Sequence, residues 1–423
     1  MNFYSISAIV FASIFLIGIL FYTYKIHFWK YARRKQKLLP SAEQNKKYAI
    51  LIPARDESKV IRGLLESIKS QTYNQENLLT YVIVSDDNDP TIKICEDYKN
   101  TTCYVLPKEI RPNIKSKGAT LQAMIKKLWA DGERFDGYFI IDADNVMKPD
   151  FVEHMHNGLC VGNDLVLGGR LNKTPSGNWV NCGSSLTWTY INTMNNKCRS
   201  ENGQNIVVQG SPLLVSKTII EDFWQGDWPL TSLTEDYEMG FICSIHDFKT
   251  FYYEYALCYD EQPTTYLQSS KQRIRWIKGH NSVDAKYSID FHKHPCKFNR
   301  GIYKFDTLCA LVGPIIIIAS ALLFALYSLV ATIVLASLSN PLWVWTLVGT
   351  IGTFAGFYLL LSFWAMFAMI VDAEKLNLSA AQSIEAFFTV PLFFMSWLPI
   401  FIKSFFIKDV KWAKIEHNQK VEK

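Results

Sequence analysis

Residues 138–145 read Tyr138-Phe139-Ile140-Ile141-Asp142-Ala143-Asp144-Asn145. Four apolar, strand-favouring residues stop at two carboxylates spaced i and i+2, the pattern of a buried strand that ends at a polar edge. The same arrangement occurs twice upstream. Tyr48-Ala49-Ile50-Leu51-Ile52 runs into Pro53-Ala54-Arg55-Asp56-Glu57, and Tyr81-Val82-Ile83-Val84 runs into Ser85-Asp86-Asp87-Asn88-Asp89-Pro90. Such runs alternate with longer amphipathic stretches between residues 47 and 300, which predicts βα units around a mostly parallel sheet. In an α/β domain of this kind ligands sit in the crevice beyond the carboxyl ends of the strands, where these acids fall.

The rest of the chain looks different. Of 423 residues 49% are apolar and 20% charged, with 12 Trp, 21 Tyr and 27 Phe, which excludes disordered and low-complexity classes. The formal net charge is only +5, and the basic excess is local: residues 25–47 hold eight Lys or Arg against Glu43 alone. A nucleic-acid partner is not expected from that distribution. Nine cysteines show no CxxC or zinc spacing, so reduced thiols are expected.

Residues 1–24 carry no charge and predict a retained transmembrane anchor. The basic juxtamembrane segment 25–46, with Lys25, Lys30, Arg33, Arg34, Lys35 and Lys37, then belongs on the cytosolic side. The sixty-five residues 307–371 lack any charged side chain, and Ser339-Asn340-Pro341 divides them, predicting two transmembrane helices within 305–371. The last apolar run, 386–402, has seventeen residues, contains Pro391 and Pro399, and is followed by Lys403, Lys408, Lys411 and Lys414. Counted as a span it would place that basic tail outside, against the positive-inside rule, so 380–423 is expected to be a Pro-kinked interfacial or re-entrant segment with a tail.

Four constellations carry candidate chemistry. Asp142 and Asp144 can converge on a hard divalent cation that also meets phosphate oxygens, or form a solvated turn. Asp87-Asn88-Asp89 repeats the spacing, which shows how little a bare DxD decides. Asp86 can face the same crevice and accept hydrogen bonds from a base or ribose, or serve turn and capping geometry. Thr234-Glu235-Asp236 offers an acid pair for general-base work, or a Thr-capped first helical turn. In Gln272-Arg273-Ile274-Arg275-Trp276, residues 272, 275 and 276 share one helix face. An amide, a guanidinium and a flat ring there suit a diphosphate and a sugar, although a membrane-surface helix uses the same residues. His154/His156 and His292/His294 lack the further ligands of a zinc site. No Walker loop, GxGxxG or GxSxG is present.

Taken in order, Asp86, Asp142-Ala143-Asp144, Thr234-Glu235-Asp236 and Gln272-Arg273-Ile274-Arg275-Trp276 resemble the D, DxD, TED, QxxRW signature of membrane-embedded family 2 glycosyltransferases. That group includes the cellulose, hyaluronan and poly-N-acetylglucosamine synthases. The resemblance implies a GT-A fold, a Rossmann-like nucleotide-diphospho-sugar transferase domain at 47–300, with transmembrane helices on both sides of it. It implies a UDP-sugar donor, Mg²⁺ or Mn²⁺ as cofactor, and inversion to a β-linkage. Carried across, Asp86 and Asp142 would contact uridine and Asp144 would bind the metal. Asp236, beside Glu235, would be the base. Arg275 would hold the diphosphate, Trp276 would stack on the acceptor, and Gln272 would help close the site. Lys117-Gly118-Ala119 resembles the family's lysine-glycine segment, and Gln209-Gly210-Ser211 its acceptor-side loop.

The implied activity is processive extension of a polysaccharide by a multi-pass cell-membrane enzyme with a cytosolic catalytic domain. The self-translocating synthases have more spans than are counted here. A homo-oligomer, an export partner, or a single addition to a lipid-linked or ceramide-like acceptor would each meet that departure. Trp412 and His417 in the tail offer a gate beneath the membrane. A scaffold or transporter would give these acids no reason to share a pocket.

Overall fold

In the computed structural model, which describes residues 29–111, 116–176, 178–295, 297–298 and 301–407, every residue of strand β1 (Tyr48–Pro53) is buried. A strand covered on both faces needs apolar residues at odd and even positions alike, as its run of Tyr, Ala, Ile and Leu provides. In chain order follow helix α1 (Ile61–Lys69), β2 (Leu78–Val84), β3 (Thr101–Val105), α2 (Lys117–Ala130), β4 (Gly137–Ile140), β5 (Val146–Met147) and α3 (Phe151–Cys160). Then come β6 (Leu165–Asn172), α4 (Trp179–Tyr190), β7 (Leu213–Ser216), α5 (Glu235–Ile245), β8 (Thr250–Asp260) and α6 (Tyr266–Lys293). The chain continues through α7 (Ile302–Ser337), α8 (Leu342–Val371), α9 (Ala380–Met395) and α10 (Trp397–Phe406). The expected anchor 1–24, Lys25, and the tail with Trp412 and His417 lie outside the described residues.

The strands form one sheet in the order β3-β2-β1-β4-β7-β6-β8-β5. Parallel pairing joins β1 to β2 and β4, β2 to β3, and β6 to β8, while β7 runs antiparallel to both neighbours and β5 antiparallel to β8. The sheet is therefore more mixed than the βα alternation predicts. This mixture places the site. β4 ends at Ile140 opposite Leu213, where β7 begins, so the loop before β7 meets the acids after β4. Leu213 in turn pairs with Leu167 of β6, and β6 runs on past that edge.

Alternation along β1 divides the core. Tyr48, Ile50 and Ile52 face one layer, with Ile61, Leu64, Leu65 and Ile68 of α1 and Phe151, Val152 and Met155 of α3. Ala49 and Leu51 face the other, with Leu121, Met124, Ile125 and Leu128 of α2 and Met239 and Cys243 of α5. The i, i+3, i+4, i+7 spacing in α1 and α2 is what covers a sheet face, and each such buried side chain contributes about 1.5–3 kcal/mol.

By length and composition two helices among the described residues are able to cross a bilayer, Leu342–Val371 with 30 residues and Ala380–Phe406 with 27. The second is α9 and α10 taken together, broken at Ser396, with Pro391 inside α9. The sequence count of seventeen stopped short because it excluded Glu385 and Lys403, which the helices run through. These helices dock on the sheet domain: Cys182 and Leu186 of α4 pack with Ala365 and Met369 of α8 and Ala386 and Val390 of α9. Gly183 permits the approach, since a Cβ there would lie 2.3 Å from the Phe393 ring. Outward they leave Trp345, Ile351 and Phe406 largely exposed, an apolar surface suited to lipid.

Candidate active site

A cleft of about 740 Å³ opens at the sheet edge where β1, β4 and β6 end and β7 begins, roofed by α6 and the start of α10. Its size falls in the upper part of the roughly 300–1,000 Å³ usual for small-molecule sites, which is room for a donor and part of an acceptor.

The floor is a charged cluster. Asp142 follows β4, and its Oδ1 lies 2.7 Å from Lys117 Nζ while its Oδ2 accepts a hydrogen bond from Ser211 Oγ at 2.6 Å. Lys117 also reaches Glu235 Oε1 at 3.5 Å, so one ammonium bridges the end of β4 and the start of α5. Lys117 opens α2, whose N-cap Ser116 accepts from the Ala119 amide. Gly118 lets that helix start abut the 230–231 backbone, because a Cβ would fall 2.0 Å from the Leu230 carbonyl oxygen.

Burial raises the Asp142 carboxyl, but Lys117 and then Arg170 outweigh it and hold Asp142 well below the usual range. Burial lowers the Lys117 ammonium, and Asp142 and Glu235 more than reverse that. Glu235 is pushed up to about 7, chiefly by burial, with Lys117 opposing and Asp236 adding to the rise. The floor thus holds one firmly ionised carboxylate and one that exchanges its proton near neutrality.

Asp236 is the second residue of α5, and its Oδ2 accepts a hydrogen bond from the Gly210 amide. Gly210 has φ +75°, and a Cβ on it would lie 2.5 Å from Arg170 Nη1, so only glycine suits both backbone and neighbour. The Thr234 cap that the sequence offered as an alternative reading is not made. Thr234 holds the N-cap position, but its buried Oγ1 has no hydrogen-bond partner among the described residues. Instead its side chain packs on Gly279 of α6, where a Cβ would stand 2.4 Å from Thr234 Cγ2.

That contact sets α6 over the cleft. Gln272, Arg275 and Trp276 line it from one face, with His280 one turn on. Arg275 makes no ion pair among the described residues, unlike Lys117 and Arg170. The His280 ring lies 4.1 Å from the Tyr237 ring, and burial lowers its pKa to about 4 against the pull of Asp236. Trp276 meets Trp188 edge-on at 5.8 Å. The second residue of the run, Arg273, turns away into α9 and α10.

The cleft therefore gathers Lys117, Asp142, Asp144, Gly210, Glu235, Asp236, Gln272, Arg275 and Trp276, with Ser211 directly behind on Asp142. Asp86 stands apart. It is exposed at the end of β2, accepts from the Asn88 amide at 3.0 Å in a turn, and is not among the lining residues. Its neighbour Asp89 is buried and accepts from the Asp56 and Thr91 amides, both at 2.9 Å, tying this loop to the one after β1.

Sequence reasoning missed Arg170, Asp260 and Trp188. Arg170 Nε donates to Asp260, which is fully buried and also accepts from Gln262 Nε2 at 2.6 Å. The Arg170 guanidinium lies 4.4 Å from the Trp188 ring centre. A register shift between Gly168 and Gly169 re-aims the strand just before Arg170, and paired glycines inside a strand run were the available signal.

Among the described residues no three His, Cys, Asp or Glu side chains group as a metal centre. Asp144 sits in the cleft, its Oδ1 accepting from Asn145 Nδ2 at 3.1 Å. One carboxylate at the strand edge suits a cation such as Mg²⁺, which keeps waters and is commonly held by one or two carboxylates plus substrate phosphates. The residues fit a cation shared with a diphosphate rather than an all-protein cage.

Comparison with known proteins agrees with this geometry. Residues 45–279 match the family model described as glycosyltransferase like family 2. The protein named probable glycosyltransferase YdaM of Bacillus subtilis (strain 168) is 22% identical over 412 residues, 93% of this chain and 92% of its own. A poly-beta-1,6-N-acetyl-D-glucosamine synthase of Staphylococcus epidermidis is 24% identical over 287 residues, 65% of this chain and 64% of its own. Among solved structures, the mannosyltransferase PcManGT from Pyrobaculum calidifontis, in complex with GDP-Man and Mn²⁺, superposes with TM-score 0.57 at 13% identity, over 94% of this chain and 98% of its own. With its mixed sheet of GT-A type and its acid-lined cleft, the chain belongs to the family 2 glycosyltransferases and is a hexosyltransferase.

Proposed function

We propose that the enzyme is an inverting, metal-dependent β-glycosyltransferase that uses a UDP-sugar to extend a polysaccharide at the cytosolic face of the membrane. The observation that carries this reading is the convergence of Asp142, Lys117, Glu235, Asp236, Arg275 and Trp276 on one cleft beside the apolar helices. The similarity to a poly-beta-1,6-N-acetyl-D-glucosamine synthase supports the choice of a sugar polymer as product.

In this reading Asp142, kept ionised by Lys117, receives the uridine, while Asp86, outside the cleft, takes no part. Asp144 would hold Mg²⁺ or Mn²⁺, which when bound neutralises charge on the diphosphate. Arg275 offers its planar fork to the same diphosphate as negative charge develops there. Asp236, fixed by the Gly210 amide, takes the proton of the acceptor hydroxyl as that oxygen attacks the anomeric carbon from the face opposite the leaving group. One base and one displacement suffice, and inversion follows. Trp276 presents its ring to the acceptor sugar, and Gln209 Oε1, buried without a hydrogen-bond partner among the described residues, is ready to accept from a hydroxyl. Holding both partners in line supplies much of the remaining acceleration.

The test is UDP release by the purified chain across a panel of UDP-sugars, with products sized on gels. Asp236→Asn should abolish release and keep UDP affinity. Full activity in that variant rejects the base, and one discrete glycolipid product assigns a single addition in place of polymer extension.

A further inference from the structure

Arg273 is 1% exposed and lies in the same run of α6 as the cleft-lining Gln272, Arg275 and Trp276, but its side chain is turned away from the cleft. Its Nη1 donates to Ser396 Oγ at 2.9 Å, at the break between α9 and α10. Its guanidinium carbon lies 4.5 Å from the Phe393 ring centre and 5.1 Å from that of Trp397. Its Nε and Nη2 have no hydrogen-bond partner among the described residues, and no carboxylate pairs with it there. A buried charge without a counter-ion is costly, and aromatic faces recover only part of that cost. An apolar residue would fill the space more cheaply, so the arginine's distinctive effect is to fix the rings around it.

One of those rings belongs to the cleft. Trp397, the first residue of α10, packs with Ile274, Ile277 and Ile400 and, like Trp276, lines the cleft. A second tie holds α10 to α6, since Lys278 Nζ donates to the Ile407 carbonyl. Polar side chains of α6, Gln268, Lys271 and Gln272, line the same cleft. A cleft that presents an indole together with amides and an ammonium suits a pyranose, which offers a C–H face and a rim of hydroxyls. An acyl chain would need an unbroken apolar wall.

Resting on the transfer reading above, we propose that Trp397 is a saccharide-binding residue of the acceptor side, with Arg273 as its positioning residue, so that the C-terminal helix pair completes the acceptor site. The transferase domain and the apolar helices then share one substrate.

The test uses the full chain in detergent, the UDP-sugar active in the panel, and a soluble β-1,6-linked N-acetylglucosamine oligosaccharide as acceptor, with UDP affinity read by calorimetry. Trp397→Ala should raise the acceptor KM about tenfold, more than it changes kcat, with UDP affinity intact, and Trp397→Phe should restore most of the loss. Arg273→Gln should raise the same KM several-fold, and the double variant should be no worse than Trp397→Ala, as expected for a residue acting through another. An unchanged KM in Trp397→Ala, an Arg273 effect that adds to it, or a parallel loss of UDP affinity would overturn the assignment. So would transfer only to polyprenyl phosphate in phospholipid vesicles. Failure of the unaltered chain to transfer to any sugar acceptor would overturn the transfer reading first, before any variant is compared.

Discussion

The pH dependence of stability offers a direct check on the charged floor of the cleft. Glu235 rises from an ordinary 4.5 to about 7, and its side chain is only 9% exposed. A carboxyl whose folded-state pKa exceeds its unfolded value binds its proton more tightly when folded. Its contribution is complete below pH 4.5 and is lost as pH climbs through about 7. At about 1.36 kcal/mol per pKa unit the loss is on the order of 3 kcal/mol. Glu235→Gln removes this titration, keeps a polar group near Lys117, and leaves Lys117 paired with Asp142. For a folding unit of this size about 1 kcal/mol moves Tm by about 2–4 °C. The variant should therefore melt close to the parent near pH 4.5 and about 6–12 °C above it at pH 8. Other titrating groups, such as His280 with its opposite sign, are common to both proteins and cancel in the difference. The assay is thermal unfolding of the two detergent-solubilised proteins across pH 4.5–8. A Tm difference that does not grow with pH would refute the argument that burial beside Asp236 keeps Glu235 protonated.

Lys117→Met strips the buried cation from Asp142 and Glu235. UDP affinity should fall at least tenfold, and thermal stability by about 1–3 kcal/mol, discounted because Asp142 is one-third exposed. Equal UDP affinity by calorimetry would deny Asp142 and Lys117 a place at the nucleotide. Asp144→Ala should abolish the Mn²⁺-dependent increment in UDP affinity while leaving metal-free binding near its original value, and calorimetry with and without Mn²⁺ reads both. Gly279→Ala drives a Cβ into Thr234 and should cost about 1–3 kcal/mol, with a larger loss of transfer than of UDP affinity because α6 is displaced over the cleft. A variant with unchanged Tm and activity would show that the two helices separate freely.

Much of the donor side was legible beforehand because it is local. A buried strand announces itself by an apolar run, so the positions of β1, β2 and β4, and the acids that follow them, were readable from the order of residues. The face shared by Gln272, Arg275 and Trp276 followed from helical periodicity, and the Lys-Gly pair at the start of α2 was visible as a segment. Asp86 shows the limit. Its strand end was located correctly, yet a turn carries its carboxylate outside the cleft, and turn geometry depends on Asp89 reaching across to the Asp56 amide.

By itself, then, the order of residues determined three of the strands, β1, β2 and β4, where their polar ends fall, which stretches are long and apolar, and which helix face carries the amide, guanidinium and indole. Only the tertiary structure decided that β7 lies antiparallel beside β4 and delivers Gly210 and Ser211 to the acids. It alone placed Lys117 between Asp142 and Glu235, and Trp397 within reach of Arg273. The physical reason is range. Periodicity and propensity act over a few residues, whereas these contacts join positions up to about 120 apart, and their distances are set by sheet order and by glycines that let backbones meet.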